Sequence, residues 1–255
     1  MNTMTGCATH HFKNNSPIEY EFNITEEFEP YSNLIIILDA SASMGEFYKK
    51  ELKIKAATQL LEKMNDQMMS LKVPFQLSFI TIGRTLWPLQ MKTDIVIPLR
   101  KYDRNSLKEA IQKIRWTGGK TPLASTIASL YDLLSKTSEP SALLVISDAE
   151  DLQNSPVFSA ESLIMRFKDR LCIYSIQVGN HPSGKWTLEK MSALSECGLY
   201  KSIDDLTNDL SIEQFVKKMI YMGKEPTSTP MNKGNQKRFS PTKTRMETWD
   251  EYIRQ

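Results

Sequence analysis

Long apolar runs are missing from this chain of 255 residues. Nothing approaches the roughly 18 residues that a membrane-crossing helix needs. No intact signal segment and no internal repeat is visible. Catalytic signatures are equally scarce: there is no Gly-x-Ser-x-Gly elbow, no Gly-x-x-x-x-Gly-Lys phosphate loop and no dinucleotide fingerprint. Histidine is limited to His10, His11 and His181. The first two read as exposed leader residues and the third as part of a Gly/Pro loop. The net charge of +2 gives no electrostatic footprint for nucleic acid, because the basic residues are scattered and enriched only in a short tail.

What is present is ordinary for a globular protein, with 40% hydrophobic and 24% charged residues. The length accommodates one domain of about 200 residues with tails. We divide the chain into a flexible leader over 1–30, a domain over 31–222 and a polar, basic, disordered tail over 223–255. Cysteine is rare: Cys7, Cys172 and Cys197. Cys7 follows Met4-Thr5-Gly6, and a small residue before a cysteine is what a bacterial lipoprotein cleavage site presents. The apolar segment that should precede it is missing, so a stray leader cysteine is the equal alternative.

The chain is organised around Leu34-Ile35-Ile36-Ile37-Leu38-Asp39-Ala40-Ser41-Ala42-Ser43-Met44. Five consecutive apolar residues without alternation read as a strand covered on both faces, the centre of a parallel sheet. Ligand sites in such sheets lie beyond the carboxyl ends of the strands, which is where Asp39, Ser41 and Ser43 emerge. Their hard oxygens suit Mg²⁺, Mn²⁺ or Ca²⁺. Helix capping by either serine is the competing reading. Ala142-Leu143-Leu144-Val145-Ile146-Ser147-Asp148 repeats the pattern, an apolar run delivered into an acid.

Between and after these runs, helical spacing predicts a long helix over 47–70, with Leu52, Ala56, Leu60, Met64 and Met68 on one face. The two methionines read as core filler. Strands are expected over 75–82 and, antiparallel, within 84–98. Helices follow over 105–114 and 122–135, then 159–168, 186–196 and 207–221, with strands over 171–178 and 199–203. Strands alternating with helices at this spacing define an α/β, doubly wound, mostly parallel central sheet flanked by helices. An edge strand over 18–23 and a docking helix around Trp249 and Tyr252 are weaker expectations.

Three strand ends or loops then offer matching chemistry on one sheet edge. The first gives Asp39, Ser41 and Ser43, the Gly118-Gly119-Lys120-Thr121 loop gives Thr121, and the third gives Asp148. Three hydroxyls and two carboxylates, with water, suffice for an octahedral Mg²⁺. Two acids at adjacent strand ends also repel unless a cation lies between them. Glu150 and Asp151 read as solvated acids, with tuning of metal affinity as the alternative.

Asp39-Ala40-Ser41-Ala42-Ser43-Met44, Gly118-Gly119-Lys120-Thr121-Pro122-Leu123 and Ile146-Ser147-Asp148 resemble the metal-ion-dependent adhesion site of von Willebrand factor type A domains. The resemblance covers about residues 30–222 and departs at Ala42, where glycine is commonest. It implies the Rossmann-like fold of that family, with metal ligands Asp39, Ser41, Ser43, Thr121 and Asp148 and the cofactor Mg²⁺, Mn²⁺ or Ca²⁺. The nearer likeness is to bacterial cell-envelope members, several of which carry a following outer-membrane protein A-like domain that this chain does not show. That likeness implies periplasmic or outer-membrane lipoprotein localisation, with Cys7 as lipidation candidate and only membrane link, cytoplasmic location being the alternative. It also implies a Cys172–Cys197 disulfide in an oxidising compartment, against the alternative of buried free thiols.

The functional expectation is a non-enzymatic adhesion or scaffold module. Its bound cation recognises an Asp or Glu of a protein partner, an envelope component, with no nucleic acid involved. The alternatives are a haloacid dehalogenase-like Mg²⁺-dependent phosphatase and a metal-free structural scaffold. The phosphatase chemistry needs an acid two residues after the nucleophile, and that position is Ser41.

Overall fold

The computed structural model describes residues 30–87, 89–150 and 155–221. Expectations for Cys7, His10, His11, the 18–23 strand, Asp151, Trp249 and Tyr252 lie outside these residues. In chain order the elements are β1 (Asn33–Ala40), β2 (Phe47–Tyr48), β3 (Glu51–Leu52), α1 (Lys53–Ser70), β4 (Gln76–Gly83), β5 (Thr93–Lys101) and α2 (Arg104–Gln112). There follow α3 (Leu123–Ser135), β6 (Ser141–Ser147), α4 (Pro156–Phe167), β7 (Leu171–Gln177), α5 (Pro182–Ala193), β8 (Leu199–Ser202) and α6 (Asp209–Ile220).

Six strands form one sheet in the order β5-β4-β1-β6-β7-β8. All neighbours pair in parallel except β5, which runs antiparallel to β4 at the edge. The chain builds outward from β1 through β4 to β5, then returns to β6 and builds the other way. The reversal therefore lies between β1 and β6, the position at which doubly wound sheets open a crevice at their carboxyl edge.

Every residue of β1, β6 and β7 is buried, which explains why their sequences are apolar without alternation. Leu34, Ile36 and Leu38 join the core beneath α1, α2 and α6, with Leu61, Met64, Ile111 and Phe215. Ile35 and Ile37 join the opposite core beneath α3, α4 and α5, with Ile127, Leu163 and Leu188. One face of the sheet is thus covered by the helix that follows β1 and the other by the helix that precedes β6.

The long helix expected from 47 begins six residues later, at Lys53. Lys49 adopts a left-handed conformation (φ 56°) that folds 47–52 into a small hairpin. The buried stripe of α1 runs through Ile54, Ala57, Leu61, Met64 and Met68, so Leu52 and Ala56 lie off it. Met64 and Met68 are core filler. α5 opens at Pro182 and α4 at Pro156, each earlier than helical spacing suggests, because proline suits the first helical turn. Asp103 caps α2 by accepting the Ser106 N–H at 2.7 Å. Cys172 and Cys197 form a disulfide with Cα atoms 5.8 Å apart. Cys172 lies at the amino end of β7, opposite the edge where β1 and β6 end.

Candidate metal centre

The acids of the two apolar runs sit on either side of the sheet reversal. Asp39 is the penultimate residue of β1 and is fully buried. Its Oδ1 accepts the Ser41 N–H at 2.8 Å and its Oδ2 accepts the Ser147 hydroxyl at 2.5 Å. The Ser147 oxygen in turn accepts the Ala149 N–H at 2.8 Å, steadying a turn in which Ala149 is left-handed (φ 50°). Asp148 follows β6 directly and is also fully buried.

A run of oxygens joins the two strand ends. Ser41 Oγ lies 3.3 Å from Ser43 Oγ, and Ser43 Oγ donates to Asp148 Oδ1 at 3.1 Å. The Glu150 N–H donates to the same Asp148 oxygen at 3.3 Å. Ser41 makes no side-chain cap to the short helix that follows it, so the capping reading loses its support there.

The second loop is fastened to the first through backbone. The Gly118 N–H donates to the Ala40 carbonyl and the Ala42 N–H to the Gly119 carbonyl, each at 3.0 Å. Gly119 has φ +72°, and a Cβ there would meet the Thr85 side chain at 2.2 Å and the Gln90 carbonyl at 2.7 Å. Glycine is required on both counts. Thr121, two residues further on, is 8% exposed. Its hydroxyl has no hydrogen-bond partner among the described residues.

Sequence reasoning missed the cation. Lys53, the first residue of α1, has a side chain only 6% exposed. Its Nζ contacts Asp148 Oδ2 at 3.0 Å, Glu150 Oε1 at 2.8 Å and Glu46 Oε2 at 3.1 Å. Glu150 is thus bound to an ammonium rather than simply solvated. Lys53 lies among four lysines within residues 49–55, and nothing local marks it as the buried one. Ser147 was visible only as the last residue of a strand.

These contacts place three carboxylates (Asp148, Glu46, Glu150) around one ammonium, with the Asp39 carboxylate bonded instead to Ser41 and Ser147. Burial and the Asp148 charge push the Asp39 carboxyl up to about 6, despite hydrogen bonds from Ser147 and Ser41 that act downward. Burial also raises Asp148, with Lys53 opposing. For Lys53, burial acts downward but is outweighed by Glu150, Asp148 and Glu46, so its ammonium is held firmly charged.

The residues fit a hard cation by the chemistry of their donors. Among the described residues no group of three His, Cys, Asp or Glu side chains is placed to hold a metal. Any ion here therefore depends on hydroxyls such as that of Ser43, which lies 3.1 Å from Asp148 Oδ1, oxygen donors that suit Mg²⁺ or Mn²⁺.

Residues 34–150 match the family model of the von Willebrand factor type A domain, and the described region has that Rossmann-like architecture. Among solved structures, an aerotolerance-related membrane protein from Bacteroides fragilis is similar at 16% identity and TM-score 0.56, covering 73% of this chain and 97% of that one. The conserved hypothetical protein BatB from Bacteroides thetaiotaomicron is similar at 14% identity and TM-score 0.52, covering 76% and 99%. Proximal thread matrix protein 1 from the mussel byssus, whose adhesion-site motif is occupied by zinc, shows 16% identity and TM-score 0.52 over 74% of this chain and 45% of that one. Comparison with curated proteins yields no match.

Proposed function

We propose that this domain is a protein-binding module that engages an acidic group of a partner through a divalent cation. Ser41, Ser43, Thr121 and Asp148 would hold the ion. Asp39 would orient the Ser41 turn through its N–H and add negative charge behind it. When bound, such an ion supplies a Lewis-acidic position that a partner's Asp or Glu carboxylate can fill.

The observation that carries this reading is the line of oxygens from Ser41 through Ser43 to Asp148, at 3.3 and 3.1 Å. The Thr121 hydroxyl, without a hydrogen-bond partner among the described residues, and the excess of carboxylates support it. Asp39 argues against phosphoryl transfer: it is fully buried, each of its oxygens already accepts a hydrogen bond, and no acid stands two residues on. A location in the bacterial cell envelope belongs to the same proposal. It is supported by the membrane protein and BatB among similar structures and by the Cys172–Cys197 bond, which suits an oxidising compartment. Lipidation at Cys7 remains part of that proposal.

The test is calorimetric titration of Mg²⁺ and Mn²⁺ into metal-stripped protein beside Asp39→Ala and Asp148→Ala. One-site binding lost in both variants is expected, followed by chelator-sensitive capture of a partner bearing Asp or Glu. Wild-type protein that binds neither ion, alone or with an acidic peptide present, refutes the reading and leaves a metal-free scaffold.

A further inference from the structure

Lys53 has more structure around it than a surface lysine needs. Its backbone N–H donates to the Glu46 carbonyl at 2.9 Å. Its stem runs past Gly179, where a Cβ would come within 3.3 Å of the Lys53 Cε. Its ammonium then gathers carboxylates from three places: the loop after β1, the end of β6 and the turn after it. These differ in depth, since the Glu46 side chain is 64% exposed, Glu150 21% and Asp148 not at all.

The Asp148 carboxylate is divided between two neighbours. Oδ1 faces the Ser43 hydroxyl and Oδ2 faces the ammonium. A divalent ion bound on the hydroxyl side would draw on the charge that Lys53 already neutralises. Two cations sharing one buried carboxylate also repel each other through a medium of low dielectric. In the absence of such an ion, Lys53 is what keeps Asp148, Glu46 and Glu150 from driving one another apart.

We infer that Lys53 is a tethered counter-cation of this site, which holds its three carboxylates together in the metal-free domain and weakens divalent-ion binding at Asp148. This inference rests on the metal reading above and adds a residue that sets its affinity.

The test is calorimetric titration of Mn²⁺ into metal-stripped full-length wild type, Lys53→Gln, Lys53→Met and Ser43→Ala, with thermal melts in chelator and in saturating Mn²⁺. Lys53→Gln keeps a hydrogen-bond donor beside Asp148 and serves if the methionine variant does not fold. Both Lys53 variants are expected to bind Mn²⁺ about tenfold more tightly than wild type. They should also melt lower in chelator and gain more from Mn²⁺. A folded Lys53 variant with unchanged or weaker Mn²⁺ affinity overturns the inference. If wild-type binding is then still lost in Ser43→Ala, the metal reading survives that failure. Absence of Mn²⁺ binding from every protein overturns both.

Discussion

Replacing Asp39 by asparagine should raise the stability of the metal-free domain. The Asp39 carboxyl titrates at about 6 in the folded protein against an ordinary 3.8, because it is buried and faces Asp148. The folded domain therefore binds more protons than the unfolded chain between those values. The stability linked to this group falls as pH rises through that window. The displacement corresponds to about 3 kcal/mol of cost for keeping Asp39 ionised near neutral pH, as an order of magnitude. Asparagine removes that cost and still accepts the Ser41 N–H. Its amide then turns a donor toward Ser147, whose hydroxyl must find another acceptor, at about 1 kcal/mol. The net is about 1–2 kcal/mol of stabilisation, or a melting temperature higher by roughly 2–8 °C for a domain of this size. Melts in chelator at about pH 7.5 and at about pH 4 read it, since near the lower pH wild-type Asp39 is itself mostly protonated and the difference should shrink. An asparagine variant less stable than wild type near neutral pH refutes the electrostatic argument. So does a difference that is the same at both pH values.

The other expectations concern the parts that hold the site. Ser147→Ala removes the hydroxyl on Asp39 Oδ2 and orphans the Ala149 N–H. Denaturant titration should show about 2–4 kcal/mol lost, and the Asp39 carboxyl should titrate higher still. Gly119→Ala drives a Cβ into Thr85 and Gln90 at a left-handed position. It should cost roughly 1–3 kcal/mol and weaken Mn²⁺ binding by displacing the Thr121 loop, measured by melting and calorimetry. Reducing the Cys172–Cys197 bond, which spans 25 residues, should lower stability by about 3 kcal/mol. Mn²⁺ affinity should be unchanged, since that bond lies at the far edge of the sheet.

The parts of the fold that were legible are those where burial alone dictates the residues. β1 and β6 are covered on both faces, so they appear as unbroken apolar runs, and an acid ending such a run is conspicuous. Parallel pairing then places both acids on one edge without any knowledge of strand order. Lys53 was not legible, because its burial is decided by Asp148 and Glu150, nearly a hundred residues away. Helical periodicity also continues through Leu52 into the preceding hairpin, so the start of α1 depended on the left-handed Lys49, which no apolar pattern encodes. The Ser147 hydroxyl was hidden for a similar reason: its target, Asp39, belongs to a neighbouring strand and is set by register.

The features that work against stability collect where the sheet reverses. Among the described residues, Asp39 is held ionised without an adjacent counter-cation, Ala149 is left-handed at the turn after Asp148, and three carboxylates meet one ammonium. A domain needed only for its fold would be better served by an asparagine or an apolar residue at position 39. Local features that oppose the global fold are characteristic of functional sites. What relieves this particular opposition is positive charge beyond Lys53, delivered next to the Ser41, Ser43 and Asp148 oxygens. The same electrostatics therefore explain both why Asp39→Asn should fold better and why it should bind Mn²⁺ worse. A variant in which stability and affinity rose together would break that link.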